Sequence, residues 1–519
     1  MKSCPVERAR SSPARGAPPS RRAPAGRLWR GLGCALLLAG ASCQNEAATT
    51  SSSGAAGVAS RPNIVFVVID ALRADRLGVY GGPTENSPAI DAIAREGATV
   101  ERAIAQAPWT QPSVASLLSS VYPSVHGVDD FHWAMEATFG DEPKVAVLDE
   151  IFPTLPEVLR ANGYRTAGFV ANPFLDAAFG FARGFDHFDA SFAAIAAPGI
   201  DVNTAARAWL DRRDRAAPAF LYLHYMDVHG PYDAPAEILE PLLDAVERAE
   251  PTERLSRSAE RRLGYLHTFP AVMPRPDRHT KLSRYREYWI ARYDAGVREM
   301  DGHLAALRAA LEAAGVWRDA LVIVTSDHGE ALFEHGFWDH GHSLYDAELH
   351  VPLIVRWPGV IPAGRRVQAT VQLIDVMPTI LDQLRIPAPE GLQGRSIARD
   401  LTDGAASEPA LAIAEALKGQ PEARAIYAGG WKLIEEADAR STMYDLVVDP
   451  RERRDVGGAH GEEAARLRRI LAAHAARAAA RAAGRRVTRV TPSPDQAERL
   501  RALGYLGDRP PEDSRALPR

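Results

Sequence analysis

Three apolar stretches of this 519-residue sequence end in residues that bind cations or move protons. Asp70 follows "NIVFVVI", Asp227 and His229 follow "AFLYLHY", and Asp327 and His328 follow "ALVIVT". Short continuous apolar runs suit strands buried on both faces. The carboxyl ends of such strands are where open α/β sheets gather their ligands. A single acidic residue there also serves as a helix cap. Three strand ends delivering Asp, Asp-x-His and Asp-His point instead to one shared metal site. Aspartate and histidine without cysteine suit Zn²⁺, Mn²⁺, Ca²⁺ or Mg²⁺.

A second signal lies in "PWTQPSVASLLSS", residues 108–120. Thr110 stands at the head of a predicted helix whose first turn contains Pro112, a favoured residue there. The free N–H groups and positive dipole end of that helix favour an anion beside Thr110. A threonine hydroxyl is a weak nucleophile until a base or a metal assists it. A bound cation lowers its pKa and neutralises the oxygens of an ester under attack. Alone, Thr110 reads as a helix cap; among metal-type residues it reads as a nucleophile.

The elements that must position these residues follow from periodicity. Further strand-like runs are "RTAGFV" (165–170) and "PLIVR" (352–356), and helical patterns fill "SPAIDAIAREG", "PTLPEVLRANG" and a long stretch near 284–315. This alternation predicts an α/β fold around a mostly parallel sheet. Residues 61–404 form the expected catalytic domain, and 234–286, rich in charge and proline, interrupt it as a lid or surface insertion. A small C-terminal subdomain (405–456) holds "AIYAGGWKLIEE" and "MYDLVVDP". A helical extension (457–519) follows, with an exposed helix expected over 460–486.

The N-terminus reads as an export signal. An Arg-rich stretch precedes the apolar run "GLGCALLLAGAS" (31–42), too short to span a bilayer but suited to a signal-peptide core. The end "LLLAGASC" resembles a bacterial lipoprotein signal, with Cys43 as the lipidated residue and 44–60 as a flexible tether. The expected location is the bacterial periplasm or the outer membrane, with membrane attachment only through that anchor. Residues 1–60 carry Lys2 and seven arginines against Glu7 and Glu46, so a +6 leader leaves −11 on the remainder of a chain whose formal total is −5. An acidic body argues against nucleic acid as a partner. The three cysteines, Cys4, Cys34 and Cys43, all lie in the leader, so the body has no disulfide and no cysteine nucleophile.

The segments "RPNIVFVVIDALRADRLGVYGG", "PWTQPSVASLLSSVYPSVHG", "HYMDVHGPY", "TSDHGEALFEHG", "DHGHSLYDAELHVPLIVRWPG" and "MYDLVVDPRE" occur in the order seen in sulfatases of the alkaline phosphatase superfamily. The resemblance runs from about residue 61 to 456 and implies an alkaline-phosphatase-like sandwich with a smaller C-terminal subdomain. It implies that Asp70 and Asp327 hold a divalent metal, with Ala71 where the family has a second Asp. His328 falls where many sulfatases have Asn and phosphate-transferring relatives have a metal-binding His. His229 matches a substrate-contacting histidine. His340 lies near a residue that contacts the ester group, with His342 competing for that alignment. Asp227, His335, His342 and Asp339 are candidates for a second metal or for supporting the first.

Thr110 aligns with the cysteine that sulfatases convert to formylglycine, and the signature arginine is Val114. The resemblance therefore implies phosphate mono- or diester, or phosphonate, hydrolysis through Thr110. Asp70, Thr110, Asp327 and His328 would hold one metal (Zn, Mn or Ca, one or two ions), and Thr110, His229 and His340 would act on the ester. The substrate would be a small-molecule, glycan or lipid ester. Sulfuric ester hydrolysis without formylglycine is the alternative. An envelope phosphoryl or phosphoalcohol transferase and a non-catalytic binding protein are further readings.

Overall fold

The structure is a computed structural model describing residues 61–128, 144–192, 198–249, 286–403, 410–415 and 422–502. At its centre is a nine-stranded mixed sheet. The strand Ile64–Ile69 lies in the middle, paired in parallel with Ala219–Tyr225 on one side and Leu321–Thr325 on the other. Arg165–Val170 and His187–Asp189 extend the parallel array beyond Ala219–Tyr225. On the other flank Leu353–Arg356 runs antiparallel to Leu321–Thr325 and to Ala98–Ile104. Arg365–Gln372 pairs with Ala98–Ile104 in parallel, and His350–Val351 caps the same strand. The fold is thus α/β with a mostly parallel sheet. Ala98–Ile104 and Arg365–Gln372 are strands that the apolar-run criterion passes over, because half of their residues are polar.

Strand side chains alternate between faces, and the two cores follow that period. Ile64, Phe66 and Val68 join one hydrophobic cluster while Val65, Val67 and Ile69 join the other. The first cluster is covered by the helices Thr110–Ser119, Leu155–Ala161 and Val376–Gln383. The second is covered by Pro88–Arg95, Gly199–Arg212 and the 28-residue helix Arg286–Ala313. Burial on both faces is why the central strands are continuous apolar runs.

From 234 onward the chain forms the helix Ala236–Ala249, which adds Leu239 and Leu243 to the second core. The rest of the expected lid, 250–285, lies outside the described residues, as do the leader with Cys43 and the tether.

A four-stranded antiparallel sheet (Ala412–Glu415, Arg424–Ala428, Trp431–Glu435, Ser441–Asp445) follows the main sheet in the chain. The helix Gly461–Ala482 is not exposed all round, as its Ala/Arg composition led us to expect. Ala464, Leu467, Leu471, His474 and Ala478 form a buried stripe, and its first three members pack on Ile413, Ile426, Leu433 and Met443. The helical period of those few large residues outweighs the polar composition of the remaining faces.

Candidate active site

The pleat determines which strand-end residues meet. Val68 pairs with both His224 and Thr325 across the three central strands. Phe66 and Val68, Phe220 and Tyr222, and Leu321 and Ile323 all point into the first core. Asp70, His224 and Asp327 continue those three phases and emerge on that same side. All three are fully buried. His224 Nε2 lies 3.8 Å from Asp70 Oδ2 and 3.8 Å from Asp327 Oδ2. Asp227 continues the opposite phase, set by Leu221, Leu223 and Tyr225. It accepts a hydrogen bond from the Gly199 amide (2.8 Å) and pairs with His303 (3.3 Å), which also faces Glu299. Asp227 therefore belongs to a separate Asp227–Glu299–His303 group.

Thr110 opens the helix Thr110–Ser119, directly after the extended residue Trp109. Ser113, one turn on, donates to the Asp327 carbonyl at 2.5 Å and ties the helix start to the strand end. The Thr110 hydroxyl Oγ1 is 3.4 Å from Asp70 Oδ2 and 3.3 Å from His328 Nε2. Asn172 completes the pocket from the end of Arg165–Val170. Its side-chain oxygen Oδ1 accepts from the Phe174 amide (2.9 Å), which aims the Nδ2 group at Asp70 Oδ2 (2.7 Å) and Thr110 Oγ1 (3.2 Å).

His328 Nδ1 is 2.8 Å from the Gly329 carbonyl, leaving Nε2 to face Asp70 Oδ1 at 3.3 Å and Asp327 Oδ2 at 3.7 Å. Asp327 Oδ1 accepts from the amides of His328 (3.0 Å) and Ala71 (3.3 Å). The left-handed backbone at Ala71 (φ 60°) accompanies that second contact. Beyond His328 lies His340, with ring centroids 4.4 Å apart, and His229 follows at 5.0 Å from His340. His340 Nδ1 faces Asp339 (2.9 Å) and Glu330 (3.2 Å).

For Asp70, His328 and His340 burial penalises the charged form, yet the partners prevail. Asp70 is held well below the usual carboxylate range, because His328, His229 and His224 oppose its desolvation. His340 is raised well above the ordinary imidazole value, since Asp339 and Glu330 outweigh burial. His328 is also raised, by Asp327 and Asp70 against burial and against His340.

The donor set suits a divalent cation. Asp70 Oδ1, Asp327 Oδ2 and both nitrogens of His224 are buried and make no hydrogen bond, an arrangement that is costly unless a charge satisfies them. Donor atoms 3.3 to 3.8 Å apart are compatible with a common ion at about 2.0–2.2 Å from each. Asp70, Thr110, Asp327 and His328 would hold it.

The remaining sequence candidates fall in different places. His342 is buried, and its amide donates to Glu348 at 3.1 Å. His340 is the histidine whose ring faces His328 and His229. His335 is exposed and stacked on Tyr345 with centroids 3.6 Å apart, so it is not among the buried ligands. Asp339 holds His340. Sequence reasoning passed over His224, Asn172 and Glu330. His224 carried a usable signal, for it lies in phase with Asp70 and Asp327 on the central strands. Glu330 lies two residues after His328 inside "TSDHGEALFEHG", which was its signal; Asn172 carried none in the sequence.

Asp70, Asp327 and His328 beyond the strand ends and Thr110 at the adjoining helix start form a group of side chains suited to ester hydrolysis. Residues 62–386 match the family model described as "Sulfatase", and 333–475 match "N-sulphoglucosamine sulphohydrolase, C-terminal". The chain belongs to the sulfatase family. It is 23% identical over 395 residues to the arylsulfatase of Clostridium perfringens, covering 66% of this chain and 79% of that protein. It is 24% identical over 420 residues to the ulvan-active sulfatase of Formosa agariphila, covering 77% and 78%. Similar solved folds include a protein in complex with its substrate D-glucosamine-2-N,6-O-disulfate (TM-score 0.64, 20% identity, 82% of this chain and 98% of that one). The phosphonate monoester hydrolase of Agrobacterium radiobacter is also similar (TM-score 0.62, 20% identity, 84% and 100%).

Proposed function

We propose that this chain hydrolyses phosphate mono- or diesters, or phosphonates, with Thr110 as the nucleophile. The observation that carries this reading is the buried Thr110 hydroxyl, held between Asp70, His328 and Asn172 at a helix N-terminus. A divalent cation held by Asp70, Thr110, Asp327 and His328 would supply a Lewis acid for the ester oxygens.

The protein's own groups then have definite tasks. Thr110 Oγ1, its proton released to solvent, forms a bond to phosphorus as the bond to the leaving oxygen breaks. The His229–His340 pair faces the departing oxygen and gives it a proton. Asn172 orients the Thr110 oxygen. Water next attacks phosphorus, the bond to Thr110 breaks, the threonine oxygen takes the proton that the water loses, and phosphate, or for the other substrates a phosphate monoester or phosphonate, leaves. The net reaction is ester plus water to alcohol plus the corresponding phosphate, phosphate monoester or phosphonate. Water is required in the second stage because a threonine ester lacks the second hydroxyl with which a formylglycine hydrate expels sulfate.

A second reading, sulfuric ester hydrolysis, is favoured by the arylsulfatase and the ulvan-active sulfatase among the relatives. The substrate in either case is a small-molecule, glycan or lipid ester, met in the periplasm by an exported protein anchored through Cys43.

The test compares p-nitrophenyl phosphate, bis-p-nitrophenyl phosphate and p-nitrophenyl sulfate on the purified chain loaded with Zn²⁺, Mn²⁺ or Ca²⁺, with Thr110→Ala alongside. Phosphate ester turnover that disappears in Thr110→Ala supports the proposal. Dominant sulfate turnover replaces it with the second reading.

A further inference from the structure

His224 is a buried polar residue beside the site that the mechanism leaves without a task. It is the penultimate residue of the strand Ala219–Tyr225, fully buried, and its two ring nitrogens make no hydrogen bond. A core histidine normally has at least one nitrogen satisfied, because an unmet buried donor or acceptor costs about 1–3 kcal/mol. The nearest charged groups are the two carboxylates of the candidate metal centre. Asp70 Oδ2 and Asp327 Oδ2 are each 3.8 Å from Nε2, too far for hydrogen bonds. Asp327 Oδ2 also makes no hydrogen bond. Three facing donor atoms, none bonded to another, converge on the same space.

We infer that His224 is a ligand of the metal centre, adding a second imidazole to that of His328. This inference rests on the reading of Asp70, Asp327 and His328 as a metal site. The strand geometry supports it, since the pleat that aims Asp70 and Asp327 to one side of the sheet aims His224 there too. Ala71, the neighbour of Asp70, brings no side-chain donor, so the imidazole supplies a donor from the adjacent strand. Two imidazoles with two carboxylates also change which ion the site prefers. Imidazole suits Zn²⁺ and other transition ions, whereas Ca²⁺ takes oxygen ligands. The site should therefore select Zn²⁺ over Ca²⁺, and His224 should be a principal cause of that selection.

The test is X-ray absorption spectroscopy on the full chain loaded with one equivalent of Zn²⁺, for wild type, His224→Ala and His224→Gln, with Zn²⁺ affinity measured by competition against a chromophoric chelator. The expected result is loss of one imidazole from the zinc shell in both variants and a Zn²⁺ affinity lowered at least about tenfold. Ca²⁺ affinity should change less. A wild-type shell that contains one imidazole or none overturns the inference, even if neither variant folds. So does an unchanged imidazole count and affinity in folded His224→Ala. Thr110→Ala, measured in the same way, separates the two proposals. A lost phosphoesterase activity with both imidazoles still present speaks to Thr110, whereas a failed proposal about phosphate esters leaves the zinc shell of His224 unaffected.

Discussion

The Thr110 hydroxyl lies 3.3 Å from Nε2 of His328, although 218 positions separate them in the chain. One comes from the start of a helix and the other from the end of a central strand, and the Ser113–Asp327 hydrogen bond fixes the helix against that strand. Thr110 is the first residue of its helix and His328 lies three residues beyond the strand Leu321–Thr325, so the packed elements that flank the two groups set their separation. The nucleophile is therefore held before a substrate arrives. Thr110→Ser, which keeps the oxygen but loses the methyl group that restricts its rotation, should retain measurable turnover where Thr110→Ala retains none.

Asn172 donates to both Asp70 and Thr110 and is itself aimed by the Phe174 amide. Removing such a supporting donor from a metal site typically costs about 10- to 100-fold. We expect Asn172→Ala to lower kcat by that amount with little change in KM, because the loss falls on nucleophile position. Steady-state kinetics check this. An unchanged kcat would mean that Asn172 is only a cap for the turn after its strand.

Metal removal should destabilise the protein as well as inactivate it. A ligand that binds only the folded state adds about 2.7 kcal/mol when present at 100 times its Kd. Thermal melts after exhaustive chelation, and again after adding Zn²⁺ or Mn²⁺, should show a restored upward shift in Tm. Identical melting curves would argue against a metal among Asp70, Asp327 and His328.

Glu348 is fully buried, and burial pushes its carboxyl from 4.5 up to about 7, against opposing hydrogen bonds from Ser343 and the His342 amide. A group raised on folding favours the native state below its unfolded value and loses that contribution as pH rises through the folded one. Stability from Glu348 is thus complete below pH 4.5 and declines up to about pH 7. Glu348→Gln should flatten this part of the stability profile by about 1–3 kcal/mol. Urea denaturation at pH 5 and pH 8 measures the difference between wild type and variant.

Lys432, on the C-terminal sheet, is wholly buried between acidic partners. It lies 3.0 Å from Asp346 and in an ion pair with Glu452, and Asp346 also receives Arg102 (2.6 Å) and Tyr427 (2.8 Å). Asp346 follows shortly after His340 and His342, so this cluster ties the C-terminal sheet to the site segment. Removing one partner of a buried ion pair costs about 3–5 kcal/mol. Lys432→Met should lose stability on that scale in denaturant melts, and a loss below about 1 kcal/mol would show the cluster to be a weak tie.

The apolar runs of the sequence determined the central strands, since burial on both faces leaves them almost entirely apolar. The same runs determined that Asp70, Asp327 and His328 would stand at strand ends. They likewise marked Asp227 and His229, the helix start marked Thr110, and the family's ordered motifs added His340. What the linear order could not supply was face and neighbour. Asp227 and His224 are three residues apart, and the pleat sends them to opposite sides of the sheet, so the more conspicuous Asp leaves the centre and the overlooked His enters it. Asn172 reaches the site from a segment with no motif of its own, and Glu330, though inside "TSDHGEALFEHG", is given its role only by the approach of His340. The helix Gly461–Ala482 was misjudged because composition says nothing of which face meets a neighbour. Residue types set what chemistry was available. Strand register and side-chain phase, which exist only once the sheet is assembled, decided which of those residues meet.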